Sequence, residues 1–131
     1  MQDTKSRPND FSMLGFMGIV TAAKGTHVIT TFRDLPNVPP GKPYLIMRHD
    51  VDHSLDLALE LAQEEHKLGI NASYLIIVGT AGYNLLAPKS KAAVREIAAL
   101  GHEVGLHYDA SNFQGDSEAQ STQFQHDMNV L

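Results

Sequence analysis

Hydrophobic and polar positions follow two different periods along most of the chain. Short apolar or β-branched stretches predict strands over Tyr44–His49, Ala72–Val78 and Glu103–His107, and the unbroken apolar run of the second is typical of a strand buried on both faces. Apolar residues at helical spacing lie between these strands. The strand starts are about 30 residues apart, which is the size of a βαβ repeat. This alternation predicts an α/β fold with a parallel sheet and right-handed crossovers.

Residues that start and stop helices bound both helical stretches. Ser54 suits the N-cap of the first helix and Gly69 suits its C-cap. The second helix is predicted from about Pro88, which fits a first helical position, to Leu100, and Gly101 marks its end. The helical spacing of the apolar residues and these start and stop residues agree, so we expect two helices between three strands.

Residues 1–43 form an N-terminal region with a different pattern. Residues 1–10 are polar and are predicted to be loosely structured, whereas residues 11–23 predict a helix. The β-branched stretch His27–Phe32 predicts a short strand. Four prolines between Leu35 and Pro43 then predict a rigid connector.

Residues 44–131 form the βα region. A polar helix that starts near Gly115 continues toward Leu131, where no helix-stop signal follows. A closed eight-stranded β/α barrel takes about 250 residues, and this region supplies only three clear βα units. We therefore expect a partial, truncated distorted β/α barrel from a chain that is a fragment or encodes part of a larger fold. Its open strand edges would be covered by a homo-oligomer or by a missing C-terminal half.

The composition narrows the possible chemistry. The chain has 131 residues and no cysteine, which excludes disulfides, thiolate nucleophiles and cysteine-based zinc sites. Any metal must therefore be held by histidines and carboxylates. The formal net charge is −5 and the lysines and arginines form no cluster, so we expect no nucleic-acid partner.

A membrane partner is not expected either, because no apolar run reaches the roughly 20 residues that a membrane helix requires. Residues 5–23 resemble a short signal peptide, since Lys5 and Arg7 precede an apolar core. Asp3 and Asp10 lie in the segment that would have to be basic, and this favours a cytoplasmic chain with an amphipathic first helix.

Polar side chains collect where the first and third predicted strands end. In α/β folds, ligands bind at the carboxyl ends of the strands. Strand parity puts Arg48 and Asp50 on one face, with Asp52 just beyond, and His107 ends the third strand. These two strands flank a middle one and lie about 10 Å apart. A carboxylate and an imidazole can therefore meet over the end of the middle strand.

Two carboxylates two residues apart can divide the work of a hydrolytic site. One can bind a divalent metal, which at about 2 Å from each ligand would fit the gap to His107. The other can accept a proton from water, and Arg48 is placed by parity to keep Asp50 ionised. The alternative is that Asp50 and Asp52 are turn or capping residues and that His107 is a structural histidine. The joint occurrence of the two motifs favours the metal site.

The stretch Ile46–Asp52, followed by a helix, a strand and the stretch Leu100–Asp109, resembles the polysaccharide deacetylase (NodB-homology) superfamily. It is most similar to the branch whose first motif reads Arg-His-Asp-Val-Asp, and the likeness extends over residues 44–112, about half of the chain. The resemblance implies a distorted β/α barrel and metal-dependent removal of acetyl groups from sugars.

The resemblance also implies roles for three residues. Asp50 would be the catalytic base, Asp52 a metal ligand and His107 the first metal histidine. The two aspartate roles can be exchanged, because the common family motif has adjacent aspartates and Val51 separates them here.

The chain departs from the family pattern at a second metal ligand. The family places another histidine four residues after the first, where this chain has Ser111, and the later family motifs are absent. His53, Asp109 or a water are candidates for the remaining ligand position. Arg48 and Glu103 are expected to support the site, and a contact between them is one possibility.

Other polar residues near the motifs have simpler interpretations. His49 and His102 fall on the opposite parity from the site and are expected to be structural. The stretch Tyr83–Leu86 lies in the loop after the middle strand, and it either touches substrate or is a loop tip anchored by its two leucines.

The sequence therefore predicts a metal-dependent hydrolase that removes acetyl groups from an amino sugar or polysaccharide, with zinc as the expected metal and a carbohydrate as the partner. One alternative is a non-catalytic, deacetylase-like binding or assembly module, which Ser111 and the missing motifs favour. Another is an amidohydrolase on the same superfamily fold.

Overall fold

The computed structural model describes residues 11–131, in which helices and strands alternate from residue 48 onward. The helices are α1 Met13–Lys24, α2 Leu55–Lys67, α3 Pro88–Ala99 and α4 Ser117–Val130. The strands are β1 Val28–Thr30, β2 Tyr44–Ile46, β3 Arg48–Val51, β4 Ser73–Ile76 and β5 Glu103–Leu106. Short 3₁₀ turns cover Leu35–Asn37 and Ala110–Asn112.

The strands form two parallel sheets. β1 pairs with β2, and a second sheet has the order β3-β4-β5, with Asp50 opposite Leu75 and Leu75 opposite Gly105. The prediction of an α/β fold with a parallel sheet is confirmed. Within residues 11–131 the strands do not close into a barrel.

The predicted single strand Tyr44–His49 is wrong in one respect, because it consists of two strands that meet at Met47. The amide of Met47 donates to the carbonyl of Thr30 at 3.0 Å, and its carbonyl accepts from the amide of Ser73 at 2.8 Å. The segment therefore pairs with β1 before Met47 and with β4 after it. A change of partner of this kind depends on a distant strand and leaves no local pattern in the sequence.

The predicted helix ends are confirmed by their capping geometry. Ser54 Oγ accepts a hydrogen bond from the amide of Leu57 at 3.2 Å, and this satisfies one of the free amides of the first turn of α2. Gly69 follows the end of α2 with a φ of 69°, a left-handed conformation that favours glycine. Pro88 is the first residue of α3, as predicted.

The hydrophobic core lies between the three-stranded sheet and helices α2 and α3. β4 is the central strand, and its Tyr74 and Ile76 are completely buried. Leu75, which points to the opposite face, is only partly buried, so burial of β4 on both faces is incomplete. The buried residues of the hydrophobic core are Val51, Leu55, Ala58, Ala62, Ala72, Tyr74, Ile76, Leu85, Ala93 and Ile97.

A polar network crosses this core. Glu65 of α2 is completely buried, and its two carboxylate oxygens bond to Tyr74 Oη and to His49 Nε2, each at 2.7 Å. Burial and the charge of Glu65 raise the pKa of Tyr74, so its hydroxyl stays protonated and donates. The structural role predicted for His49 is confirmed by these contacts.

His102 is a second buried histidine with a structural role, as predicted. Its Nδ1 accepts a hydrogen bond from the amide of Ala72 at 3.1 Å, which leaves Nε2 to donate to the carbonyl of Ala62 at 2.9 Å. Burial lowers the pKa of His102. The imidazole thus links the start of β4 to α2 as a neutral side chain.

The N-terminal helix packs against the same body. α1 contacts α2 and β1, and Val20 is almost fully buried. Among residues 11–131, no helix combines the length and the apolar character needed to cross a membrane. The prediction of a loosely structured segment at residues 1–10, with Lys5 and Arg7 of the signal-peptide interpretation, lies outside the described residues.

Candidate active site at the carboxyl ends of the strands

Asp50, Asp52 and His107 lie together where β3 and β5 end. Asp50 is the next-to-last residue of β3, Asp52 is in the turn that leads to α2, and His107 directly follows β5. The amide of His107 donates to the carbonyl of Ile76 at 2.8 Å, and this extends the β4–β5 pairing to the site. The pairing of β4 with β5 therefore fixes the backbone position from which the His107 side chain extends.

The imidazole of His107 lies between the two carboxylates. Its Nδ1 is 2.9 Å from Asp52 Oδ1, within hydrogen-bond distance, and its Nε2 is 4.0 Å from Asp50 Oδ2. The exposed fractions of the side chains are 25% for His107, 36% for Asp50 and 42% for Asp52, so all three are open to a ligand from solvent. The convergence expected from strand parity is present in the structure.

Asp50 has a different partner from Asp52. Arg48 makes a two-pronged contact with it, from Nε to Oδ1 at 2.7 Å and from Nη2 to Oδ2 at 2.9 Å. The hydrogen bond from Arg48 holds the pKa of Asp50 below its ordinary value, against a smaller opposing effect of burial. Asp50 is therefore an ionised acceptor at neutral pH.

The donors at this edge fit a metal ion in type but supply only part of a ligand set. Asp52 Oδ1 and His107 Nδ1 are an oxygen and a nitrogen of the kind that zinc takes, and they are close enough to share one ion. Asp50 faces the other ring nitrogen. Within residues 11–131, no three His, Asp or Glu side chains are arranged to hold a metal. The described residues thus offer two of the three protein ligands that a catalytic zinc site uses.

The candidates for a further ligand lie elsewhere or are already bonded. Asp109 accepts hydrogen bonds from the amide and the hydroxyl of Ser111, at 3.0 and 2.6 Å, and from Asn112. Through these bonds Asp109 caps the following 3₁₀ turn, and the same bonds hold the pKa of Asp109 below its ordinary value. His53 is exposed in the turn after Asp52. Neither Ser111 nor His53 joins the Asp52–His107 pair.

Glu103 does not contact Arg48, because the two residues have other partners. Glu103 Oε2 accepts from Ser73 Oγ at 2.5 Å and from the amide of Arg33 at 3.2 Å. It lies at the start of β5, at the opposite end of the strand from His107. Glu103 therefore ties the segment after β1 to the three-stranded sheet, and the possible contact between Glu103 and Arg48 does not form.

The loop after β4 holds the backbone beside Asp52, and sequence reasoning identified only part of it. Tyr83 Oη donates to the carbonyl of Val51 at 2.6 Å and accepts from the amide of Ile77 at 3.1 Å. Thr80 Oγ1 donates to the carbonyl of Asp52 at 2.8 Å. Tyr83 was expected either to touch substrate or to lie in an anchored loop tip, and these contacts favour anchoring. Thr80 carried no signal in the sequence.

A cavity of about 420 Å³ opens beside β3. Its lining includes Asp50, Asp52 and His53 together with Leu57 and Leu61 of α2, whereas His107 does not line it. Its size falls within the range of small-molecule sites, and its mixture of charged and apolar walls is typical of them.

Comparison with models of known protein families, with curated proteins and with solved structures gave no match to this chain.

Proposed function

We propose that this protein is a metal-dependent hydrolase of the polysaccharide deacetylase type, which removes acetyl groups from an amino sugar. The observation that carries the proposal is the approach of Asp50 and Asp52 to the two sides of the His107 ring, at the edge of the sheet where α/β enzymes bind ligands. The two carboxylates have different partners, as separate roles in one reaction require.

In this proposal Asp52 and His107 hold the metal, with zinc as the expected ion. Zinc in such a site supplies Lewis acidity toward a carbonyl oxygen and makes a water molecule more acidic. Asp52 Oδ1 and His107 Nδ1 lie 2.9 Å apart and would give up the proton that they share when an ion binds. A third ligand would come from outside this pair, and His53, which follows Asp52 in the same turn, is one candidate.

Asp50 takes the proton of the attacking water. Arg48 keeps its carboxylate ionised and holds it in one orientation through two hydrogen bonds. The new bond forms between the water oxygen and the acetyl carbon, and the C–N bond then breaks as the proton is passed on to the leaving amine. The products are acetate and a free amino sugar.

The parallel sheets of two and three strands support the further proposal that the fold is part of a distorted β/α barrel. The face of β3 and β5 that carries Asp50 and Gly105 would then be the interior face of the barrel. Additional strands or a second copy of the chain would cover the open edges.

The activity test compares wild type with Asp50→Asn on acetylated glucosamine oligomers in the presence of zinc, with acetate release as the measurement. Loss of the base predicts a fall in kcat of about 10²–10⁴-fold. Asp116→Asn is the matched control, because Asp116 caps α4 and asparagine serves equally well at an N-cap. Full activity in Asp50→Asn would remove Asp50 from the mechanism.

A second candidate function is a non-catalytic, deacetylase-like binding module. It is favoured by the two-donor character of the site among residues 11–131 and by the bonding of Ser111 to Asp109. A wild-type protein that binds acetylated oligomers but releases no acetate would support this candidate over the hydrolase.

A further inference from the structure

The loop between β4 and α3 is a small closed structure. We call residues 79–84 the clamp loop. Gly79 and Asn84 form an isolated antiparallel bridge at its base. Within the loop, the amide of Gly82 donates to Thr80 Oγ1 at 3.1 Å. The carbonyl of Asn84 then accepts from the amide of Ala87, just before α3. These bonds give the loop a fixed shape.

The clamp loop holds the peptide groups before and after Asp52. Thr80 donates to the carbonyl of Asp52 and Tyr83 donates to the carbonyl of Val51, at 2.8 and 2.6 Å. Gly82 lies so close to this segment that a Cβ atom there would be 2.6 Å from the Cα of His53 and 2.8 Å from the carbonyl oxygen of Asp52. Three neighbouring residues of one loop therefore touch one turn.

Asp52 needs such support because it lies beyond the sheet. β3 ends at Val51, so the β3–β4 ladder does not extend to Asp52. Its side chain is 42% exposed and bonds to His107. A carboxylate at this position keeps one orientation only if its own backbone is fixed.

We propose that Thr80 and Tyr83 are positioning residues, which hold Asp52 in the place where it shares a ligand with His107. This inference rests on the proposed function, since it assigns the clamp loop to the same metal site. Neither hydroxyl is a proposed metal ligand. Each acts through a backbone carbonyl and thereby fixes the direction in which the Asp52 carboxylate leaves the chain.

The chemistry of Tyr83 agrees with this role. Burial raises the pKa of its hydroxyl against a smaller opposing effect of the hydrogen bond from the amide of Ile77, so the group remains a donor throughout the neutral range. Its second bond, from the amide of Ile77, ties the same oxygen to the end of β4. Tyr83 therefore connects the ends of β3 and β4 through one atom.

The test measures zinc affinity by competition with a chromophoric chelator for wild type, Thr80→Val, Thr80→Ser and Thr21→Val. Loss of a contact that orients a metal ligand costs about 10–100-fold in affinity, which is expected for Thr80→Val. Thr80→Ser keeps the hydroxyl and should restore wild-type affinity. Thr21→Val is the matched control, because Thr21 donates to the carbonyl of Met17 in α1, away from the site.

Thermal unfolding of the zinc-free proteins separates positioning from folding. We expect the zinc affinity of Thr80→Val to fall. We expect its Tm to differ from that of wild type by no more than the Tm of Thr21→Val does. A Thr80→Val protein that binds zinc within about twofold of wild type would overturn the inference and leave the proposed function intact. Tyr83→Phe provides a second variant with the same expectation. Wild type that binds no zinc would contradict the proposed function and the inference together.

Discussion

Asp50 and Asp52 are close in sequence, yet their side chains have different partners. Arg48 grips both oxygens of Asp50, whereas one oxygen of Asp52 meets His107 and its carbonyl is held by Thr80. A carboxylate paired with a guanidinium stays ionised, and a carboxylate beside an imidazole nitrogen can share a metal ion with it. Strand parity predicted that Arg48, Asp50 and His107 lie at the site and that the two structural histidines, His49 and His102, do not. Parity could not predict the contacts made by Thr80, because they come from a loop whose path is set by tertiary packing.

The Arg48–Asp50 contact predicts a shift in titration. Arg48→Gln should raise the pKa of Asp50 toward its ordinary value, because the hydrogen bond from the guanidinium is the largest effect that lowers it. Carboxyl ¹³C NMR of the metal-free protein measures the change. Arg33→Gln is the matched control, since Arg33 bonds to Asp34 and should move the pKa of that residue alone. An unchanged midpoint for Asp50 in Arg48→Gln would contradict the assignment.

The buried His102 predicts a pH dependence of folding. Burial holds its pKa below that of the unfolded chain, where histidine titrates at about 6.5. The unfolded state therefore binds more protons in mildly acidic solution. The stability that His102 contributes is present above that range and is lost as the pH falls through it toward the folded pKa. Urea unfolding between pH values of about 7.5 and 5 should show a shallower loss in His102→Gln than in wild type. Equal slopes would exclude His102 as a cause.

At the scale of secondary structure, the sequence predicted most elements and missed their partners. Periodicity and caps located α2 and α3, with Ser54 and Pro88 in their predicted places, because these signals act within a few residues. The break at Met47 depends on β1, and the partners of Glu103 lie far away in sequence. Contacts of this kind follow from the assembled fold and not from local pattern.

The close approach of the clamp loop predicts a cost for a single methyl group. Gly82→Ala would place a Cβ 2.6 Å from backbone atoms of His53, which cannot move as a flexible side chain would. Overpacking of this type costs about 1–3 kcal/mol of unfolding free energy. Gly79→Ala is the matched control in the same loop, where a Cβ would meet nothing within 4 Å. Chemical denaturation of the two variants checks the contrast, and equal stability would show that the loop does not press on the turn.

At the scale of the whole molecule, the two faces of the three-stranded sheet have separate tasks. One face carries Val51, Tyr74 and Ile76 into the core against α2 and α3. The other carries Asp50 opposite Leu75 and Gly105, and it leads to His107 at the sheet's carboxyl edge. The stability of the fold therefore comes from one side of the sheet, while the side chains of the candidate site remain open on the other.

The proposed metal site at Asp52 and His107 is tested most directly by elemental analysis of the purified protein after zinc loading and dialysis. Wild type and the control His126→Ala, whose histidine lies exposed on α4, should retain near-stoichiometric zinc. Asp52→Ala and His107→Ala should each lose it, because a site with two donors from this pair cannot spare one. Zinc-free wild type, or zinc retained in both site variants, would contradict the account.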